Sequence, residues 1–178
     1  MAKIGDVVYH EYGHGINDYR YGNNGMWNGA LNEGYADVWG LSLTQNPILG
    51  LGMSLTDPND FVRRYDINKK IYPQDLTGEV HADGEIIAGA WWDTYLGFNN
   101  MSQMMDLFKY TYDGAPDGPG GTEGIIYTDI LLEALMADDN DGNIYNGTPN
   151  DQLIVDAFAI HGISLLSNAN INHTQIMT

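Results

Sequence analysis

The sequence predicts a mainly α protein folded as a single domain over 1–178, and three observations carry that expectation. Apolar residues recur at helical spacing through most of the chain, and stretches rich in Gly, Asn and Pro cut that pattern into segments of helix length. The 178 residues, 43% of them hydrophobic, are enough for one sizeable core and show neither an internal repeat nor an interior linker.

Taken in order, the first helix is expected over 4–17, with Ile4, Val8 and Tyr12 along one side. The Gly-, Asn- and Tyr-rich stretch 19–27 reads as a loop, and a second helix over 28–44 is stopped by Asn46-Pro47. Residues 48–78 read as irregular, with Pro58 and Pro73 as breakers. A third helix over 80–96 carries Val80, Gly84, Ile87, Trp91 and Tyr95 on one stripe. A fourth covers 100–112, where Asn100 and Gln103 have capping-box spacing with Asn in place of Ser or Thr. After a Pro/Gly loop at 114–121, the fifth helix, 123–137, is apolar nearly all round and is expected at the centre of the fold. An acidic loop, 138–147, leads to Thr148-Pro149-Asn150-Asp151, which reads as N-cap, N1 proline and acidic first turn of a last helix. That helix is expected to end near His161, with Gly162 at C′ and a polar tail after Ser167.

Composition excludes several function classes. There is no cysteine, so disulfides, thiolate-bound zinc and thiol catalysis are absent. Seven Lys and Arg against 24 acids give a formal charge of −17, a surface that repels nucleic acid and anionic lipid and suits bound cations. No apolar run approaches the roughly 18 residues of a membrane span. Met1-Ala2-Lys3 runs almost directly into the first helix, which points to a fragment with any secretion signal upstream.

The first helix contains His10-Glu11-Tyr12-Gly13-His14. Two histidines four apart lie on one helical face a turn from each other, so both rings can reach one ion. Glu11 projects beside them, placed to act on water at the ion without binding it. Alone, such a short pattern also suits a surface helix with two solvated histidines. The next segment, Asn32-Glu33-Gly34-Tyr35-Ala36-Asp37, adds a carboxylate on a second helix and can thus supply, through Glu33, the third ligand of a His₂Glu zinc site with the fourth position open. Asp37, one turn beyond Glu33, is placed to accept the second ring N–H of a ligand histidine, His10 being the expected one.

These two motifs, with Glu79-Val80-His81-Ala82-Asp83-Gly84-Glu85, resemble the thermolysin-like gluzincin metallopeptidases, most closely in look the fungalysin branch with its His-Glu-Tyr-x-His-Gly motif. The likeness is specific over the first half of the chain and loose beyond it. It implies a zincin-type C-terminal helical subdomain with an active-site helix and a glutamate helix. It further implies a secreted zinc endopeptidase acting on peptide or protein substrates, with His10, His14 and Glu33 as ligands, Glu11 as general base and His81 as donor to the oxyanion. Two departures accompany it. The family's oxyanion tyrosine falls in register with Asn24, leaving Tyr19 and Tyr21 as alternatives. The family's N-terminal β-lobe has no counterpart in these residues, so the resemblance makes this a piece of a larger peptidase that relies on such a lobe, or a propeptide, absent from the sequence. The competing reading is a non-enzymatic zinc- and calcium-stabilised binding module. A metzincin site is excluded, because Asn17 and Arg20 stand where its glycine and third histidine would be.

Asp138, Asp139, Asp141 and Asn143 in the acidic loop are candidate calcium ligands. With Gly142 at the sharp turn, Ala137 and Thr148 occupy the EF-hand positions 1 and 12 where acids are expected, so a regular EF-hand is excluded and a rearranged oxygen cage remains. His161, in register with Ile154 and Phe158, reads as a core histidine bonded to backbone; His173 lies in the polar tail. Trp91, Trp92 and Tyr95 read as core, and the methionines of 101–105 as gap-fillers.

Overall fold

The computed structural model describes residues 5–22 and 25–165. Ile4, Asn24, His173 and the polar tail lie outside them. Six α-helices carry the architecture: α1 (Gly5–Tyr21), α2 (Gly29–Thr44), α3 (Val80–Phe98), α4 (Met101–Gly114), α5 (Glu123–Asp138) and α6 (Asp151–Ile160). The stretch between α2 and α3 holds one small antiparallel pair, β1 (Ile48–Leu49) with β2 (Arg63–Arg64), in the register Ile48 to Arg64. No helix among the described residues is long and apolar enough to cross a membrane.

Local chemistry sets most boundaries. Asn28 caps α2 by accepting from Leu31 N, and Gln45 ends it in the left-handed region. Asn100 accepts from Gln103 N at the start of α4, the half of the capping box that Asn can supply. Two boundaries differ from the sequence expectation because tertiary contacts override composition. α1 runs on to Tyr21 through the expected loop, since Arg20 pairs with Asp113 and the Tyr21 hydroxyl donates to Pro116 O. α6 begins at Asp151 rather than at Thr148-Pro149, since the Thr148 hydroxyl and the Asn150 N–H both donate to Asp138. Gly162 does adopt the left-handed conformation (φ 69°) expected after that helix.

The centre is α3, not α5. Ile86, Ile87, Ala88, Ala90 and Trp91 of α3 are fully buried on all sides, whereas Ile125 of α5 is exposed. Around Trp91 an edge-to-face aromatic cluster gathers Phe108 and Phe158, and Phe108 extends it to Tyr35, Trp39 and Tyr112. Each such side chain contributes roughly 1.5–3 kcal/mol through burial.

Small residues bring the site helices together. A Cβ on Gly13 would stand 2.8 Å from Ala36 Cα, so α1 and α2 meet backbone to backbone at that point. Gly34 and Gly84 do the same for α2 and α3: a Cβ on Gly84 would lie 2.7 Å from Ala30 O, and one on Gly34 2.6 Å from Gly84 O. These close crossings carry His10 and His14, Glu33, and His81 towards one place.

Candidate metal centre

His10 and His14 present their Nε2 atoms to each other at 3.1 Å. Glu33 closes the triangle, with Oε2 3.3 Å from His10 Nε2 and Oε1 3.6 Å from His14 Nε2. The three side chains form the one grouping among the described residues that meets the geometry of a metal site, one ligand atom from each lying within 4.8 Å of the others. His10 is buried and His14 and Glu33 are partly so.

The far sides of both rings are fixed. His10 Nδ1 lies 2.6 Å from Asp37 Oδ1, the partner expected from the spacing. Asp37 is almost wholly buried and is itself gripped by Arg63, whose Nε and Nη2 donate at 2.6 and 2.7 Å, and by the Tyr65 hydroxyl. His14 Nδ1 lies 2.9 Å from Asn32 Oδ1, which also accepts from Asn17 Nδ2 at 2.7 Å. The chain continues into the core, because Tyr112 donates to Asn17 Oδ1 and Trp39 Nε1 donates to Tyr112. An ionised carboxylate only accepts, so His10 carries its proton on Nδ1 towards Asp37. The amide oxygen of Asn32, already fixed by Asn17, imposes the same tautomer on His14.

Both Nε2 atoms therefore offer lone pairs, facing one another and facing a carboxylate. Glu33 Oε2 is buried without a hydrogen-bond donor. Such a cluster lacks one positive charge, since Asp37 is balanced by Arg63 and Glu33 by nothing. A proton can supply it: burial opposes charging His10, but the neighbouring carboxylates of Asp37 and Glu33 outweigh it and push the imidazole up to about 9. Glu33 is held below its ordinary range: burial opposes this, and His10, His14 and His81 prevail. A metal cation can supply the charge instead. Two ligand atoms of a tetrahedral ion at roughly 2.0–2.1 Å lie about 3.3 Å apart, and the observed edges of 3.1, 3.3 and 3.6 Å fit that size.

His81, in the first turn of α3, stands at the rim and is half exposed. Its Nε2 is 3.5 Å from Glu33 Oε1, and its Nδ1 is 2.6 Å from Glu79 Oε1. Glu79 also caps α3 through the His81 and Ala82 amides, and these three contacts, the His81 ring foremost, hold its carboxyl down at about 2. Glu11 is exposed on α1 between the two histidines in sequence.

Arg63 and Tyr65 carry no motif in the sequence, and Asn32 and Glu79 stand in the quoted motifs without an assigned role. The available signal for Arg63 is weak: in a chain with seven Lys and Arg, four stand in two adjacent pairs, Arg63-Arg64 and Lys69-Lys70. Of the alternative tyrosines, Tyr19 is exposed and the Tyr21 hydroxyl is engaged with Pro116 O.

The acidic loop is arranged differently. Asp138 accepts from Thr148 Oγ1, Asn150 N and Asn150 Nδ2; Asp139 from Asp141 N; Asp141 from Asn143 N and Asn146 Nδ2; and Asn143 Oδ1 from Tyr145 N. These are local turn and clasp contacts, and the loop's acids do not gather into a metal-sized group. His161 is the expected core histidine, bonded to Lys70 O, with Asp93 as an additional partner.

Comparison with protein-family models, curated proteins and solved structures returns no match, so the functional reading rests on the geometry of the site.

Proposed function

We propose that this chain is a zinc-dependent endopeptidase, with His10, His14 and Glu33 holding the ion. The observation that carries the reading is the convergence of two imidazole lone pairs on a buried carboxylate oxygen that has no donor, with both rings locked from behind. The donor set of two imidazoles and one carboxylate, without thiolate, matches catalytic zinc with an open position.

When bound, zinc supplies Lewis acidity, acidifying a water and polarising a peptide carbonyl. Glu11 takes the proton from the attacking water and returns it to the leaving amine. His81 donates from Nε2 to the oxyanion that develops on the carbonyl, while Glu79 holds the other ring nitrogen. That role needs a proton on Nε2 as well as the one Nδ1 directs at Glu79.

The test is hydrolysis of casein or a mixed peptide library by zinc-loaded protein, beside Glu11→Gln and a chelator. Cleavage abolished by both agrees with the proposal; cleavage that survives Glu11→Gln contradicts it. One observation favours a second reading, a zinc-binding module that acts only with a partner surface: Val8, Tyr9 and Tyr12 lie exposed on α1 around Glu11. Zinc uptake with no Glu11-dependent hydrolysis by the isolated chain supports that alternative. Calcium at Asp138, Asp139, Asp141 and Asn143 forms no part of the mechanism.

A further inference from the structure

A cleft of about 540 Å³ opens at the C-terminal end of α1, lined by Tyr21, Gly25, Trp27, Ala115 and Asp117. Two of its lining side chains are aromatic, Tyr21 and Trp27. The Tyr21 hydroxyl donates to Pro116 O at 2.9 Å, which fixes the ring. The Trp27 side chain is left 73% exposed, an unusual place for so large an apolar group. Asp117 fastens the two sides together, accepting from Trp27 N at 2.8 Å through Oδ2 and from Asn28 N at 2.9 Å through Oδ1. Each oxygen retains a second acceptor site. Ala115 sits at φ 44°, a left-handed conformation that costs a non-glycine residue energy and is held here by the surrounding loop.

Among the described residues the cleft holds a negative charge and no positive one. None of its lining residues is basic, and the neighbouring Arg20 is engaged by Asp113 at 2.5 Å and lies over the Tyr112 ring. Two aromatic faces with a carboxylate form a receptor for a cation, which the ring quadrupoles and the charge both attract.

Its position relates it to the metal centre. Tyr21 follows His14 by two helical turns and so shares its face of α1, about 10 Å along the axis; Gly29, just beyond Trp27 and Asn28, precedes Glu33 by about 6 Å along α2. Those spans correspond to about two to three residues of extended peptide. We propose that the cleft binds the side chain of a lysine or arginine in a peptide substrate, giving the site a preference for a basic residue some two or three positions from the bond cut. The inference rests on the peptidase reading for its purpose, and on the cleft alone for the binding.

The test separates the two. Acetyl-Ala-Lys-Ala-amide and its norleucine counterpart, which keeps the length and removes the charge, are titrated into the full 178-residue chain after chelator treatment, and binding is followed by amide chemical shifts. The lysine peptide is expected to bind roughly five-fold or more tightly than the norleucine peptide, with shifts at Trp27 and Asp117. That preference is expected to disappear in Trp27→Ala, an exposed position whose loss leaves the core intact, and in Asp117→Asn. Equal affinity for the two peptides, or a preference that survives both substitutions, overturns the proposal. Since no turnover is needed, a lysine preference in a chain without hydrolytic activity keeps the cleft and removes the peptidase; Glu11-dependent cleavage without the preference does the reverse.

Discussion

Two buried histidine–aspartate pairs sit among the described residues, and only one of them converges with further ligand atoms. His10 lies 2.6 Å from Asp37, and His161 lies 3.0 Å from Asp93. Each aspartate also has a cationic partner, Arg63 in the first case and Lys69 in the second. At His161 the other ring nitrogen faces Lys70 O alone, so one oxygen acceptor lies at each nitrogen and no further ligand atom joins them. At His10 the other nitrogen faces His14 Nε2 and Glu33. A histidine–carboxylate pair is therefore no sign of chemistry in itself. What marks the α1–α2 cluster is a second ring nitrogen that converges with His14 Nε2 and Glu33 at the spacing of a metal site.

The largest expected effect falls on the pair that stands alone, His161 with Asp93. His161→Ala removes a side chain that is 1% exposed and leaves Asp93 underpartnered, so unfolding by denaturant is expected to show a loss of about 3–5 kcal/mol, with the zinc content of the folded protein unchanged. A drop in zinc stoichiometry would show the two pairs to be coupled.

The two anchors of the open site should differ in turn. Asp37→Ala removes a charged partner from His10 and strands the buried Arg63, so zinc affinity is expected to fall by roughly 10–100-fold. Asn32→Ala removes a neutral partner from His14, and a fall nearer the lower end, about 10-fold, is expected. Competition with a chromophoric chelator measures both; the reverse order would overturn the importance given to Asp37.

The smallest effect is a single proton. His10 is raised from an ordinary 6.5 to about 9 in the metal-free fold. Its stabilising contribution is thus fully present below about 6.5 and is lost as pH rises through about 9, while zinc affinity rises over that same interval. At pH 7, zinc uptake is expected to release about one proton, read by calorimetry in two buffers of different ionisation enthalpy. Uptake without proton release would mean that His10 is neutral before the metal arrives.

Much of this was legible in the sequence because it depends on short spacings. Helical periodicity located the six helices, and the four-residue steps from His10 to His14 and from Glu33 to Asp37 put each pair on one face. What escaped depends on distance along the chain. Arg63 and Tyr65 reach Asp37 from 26 and 28 residues away, across a stretch that reads only as irregular. Gly13 looks like a variable position inside the motif, yet it lets α1 touch α2. The centrality of α3 was hidden for a related reason: Gly84, Ala88 and Ala90 are small rather than strongly apolar, and α5 looked the more hydrophobic. In the acidic loop, sequence counts the carboxylates but not the backbone amides that donate to them.

The central claim is that the α1–α2 cluster is built for a metal and that Glu11 stands beside it without holding it. Zinc titration of the metal-stripped wild type, Glu33→Ala and Glu11→Gln tests this most directly. One zinc per chain is expected for the wild type and for Glu11→Gln at similar affinity, with affinity lost by more than roughly 100-fold in Glu33→Ala, a ligand loss exceeding that of a supporting residue. Equal zinc binding by wild type and Glu33→Ala would contradict the account.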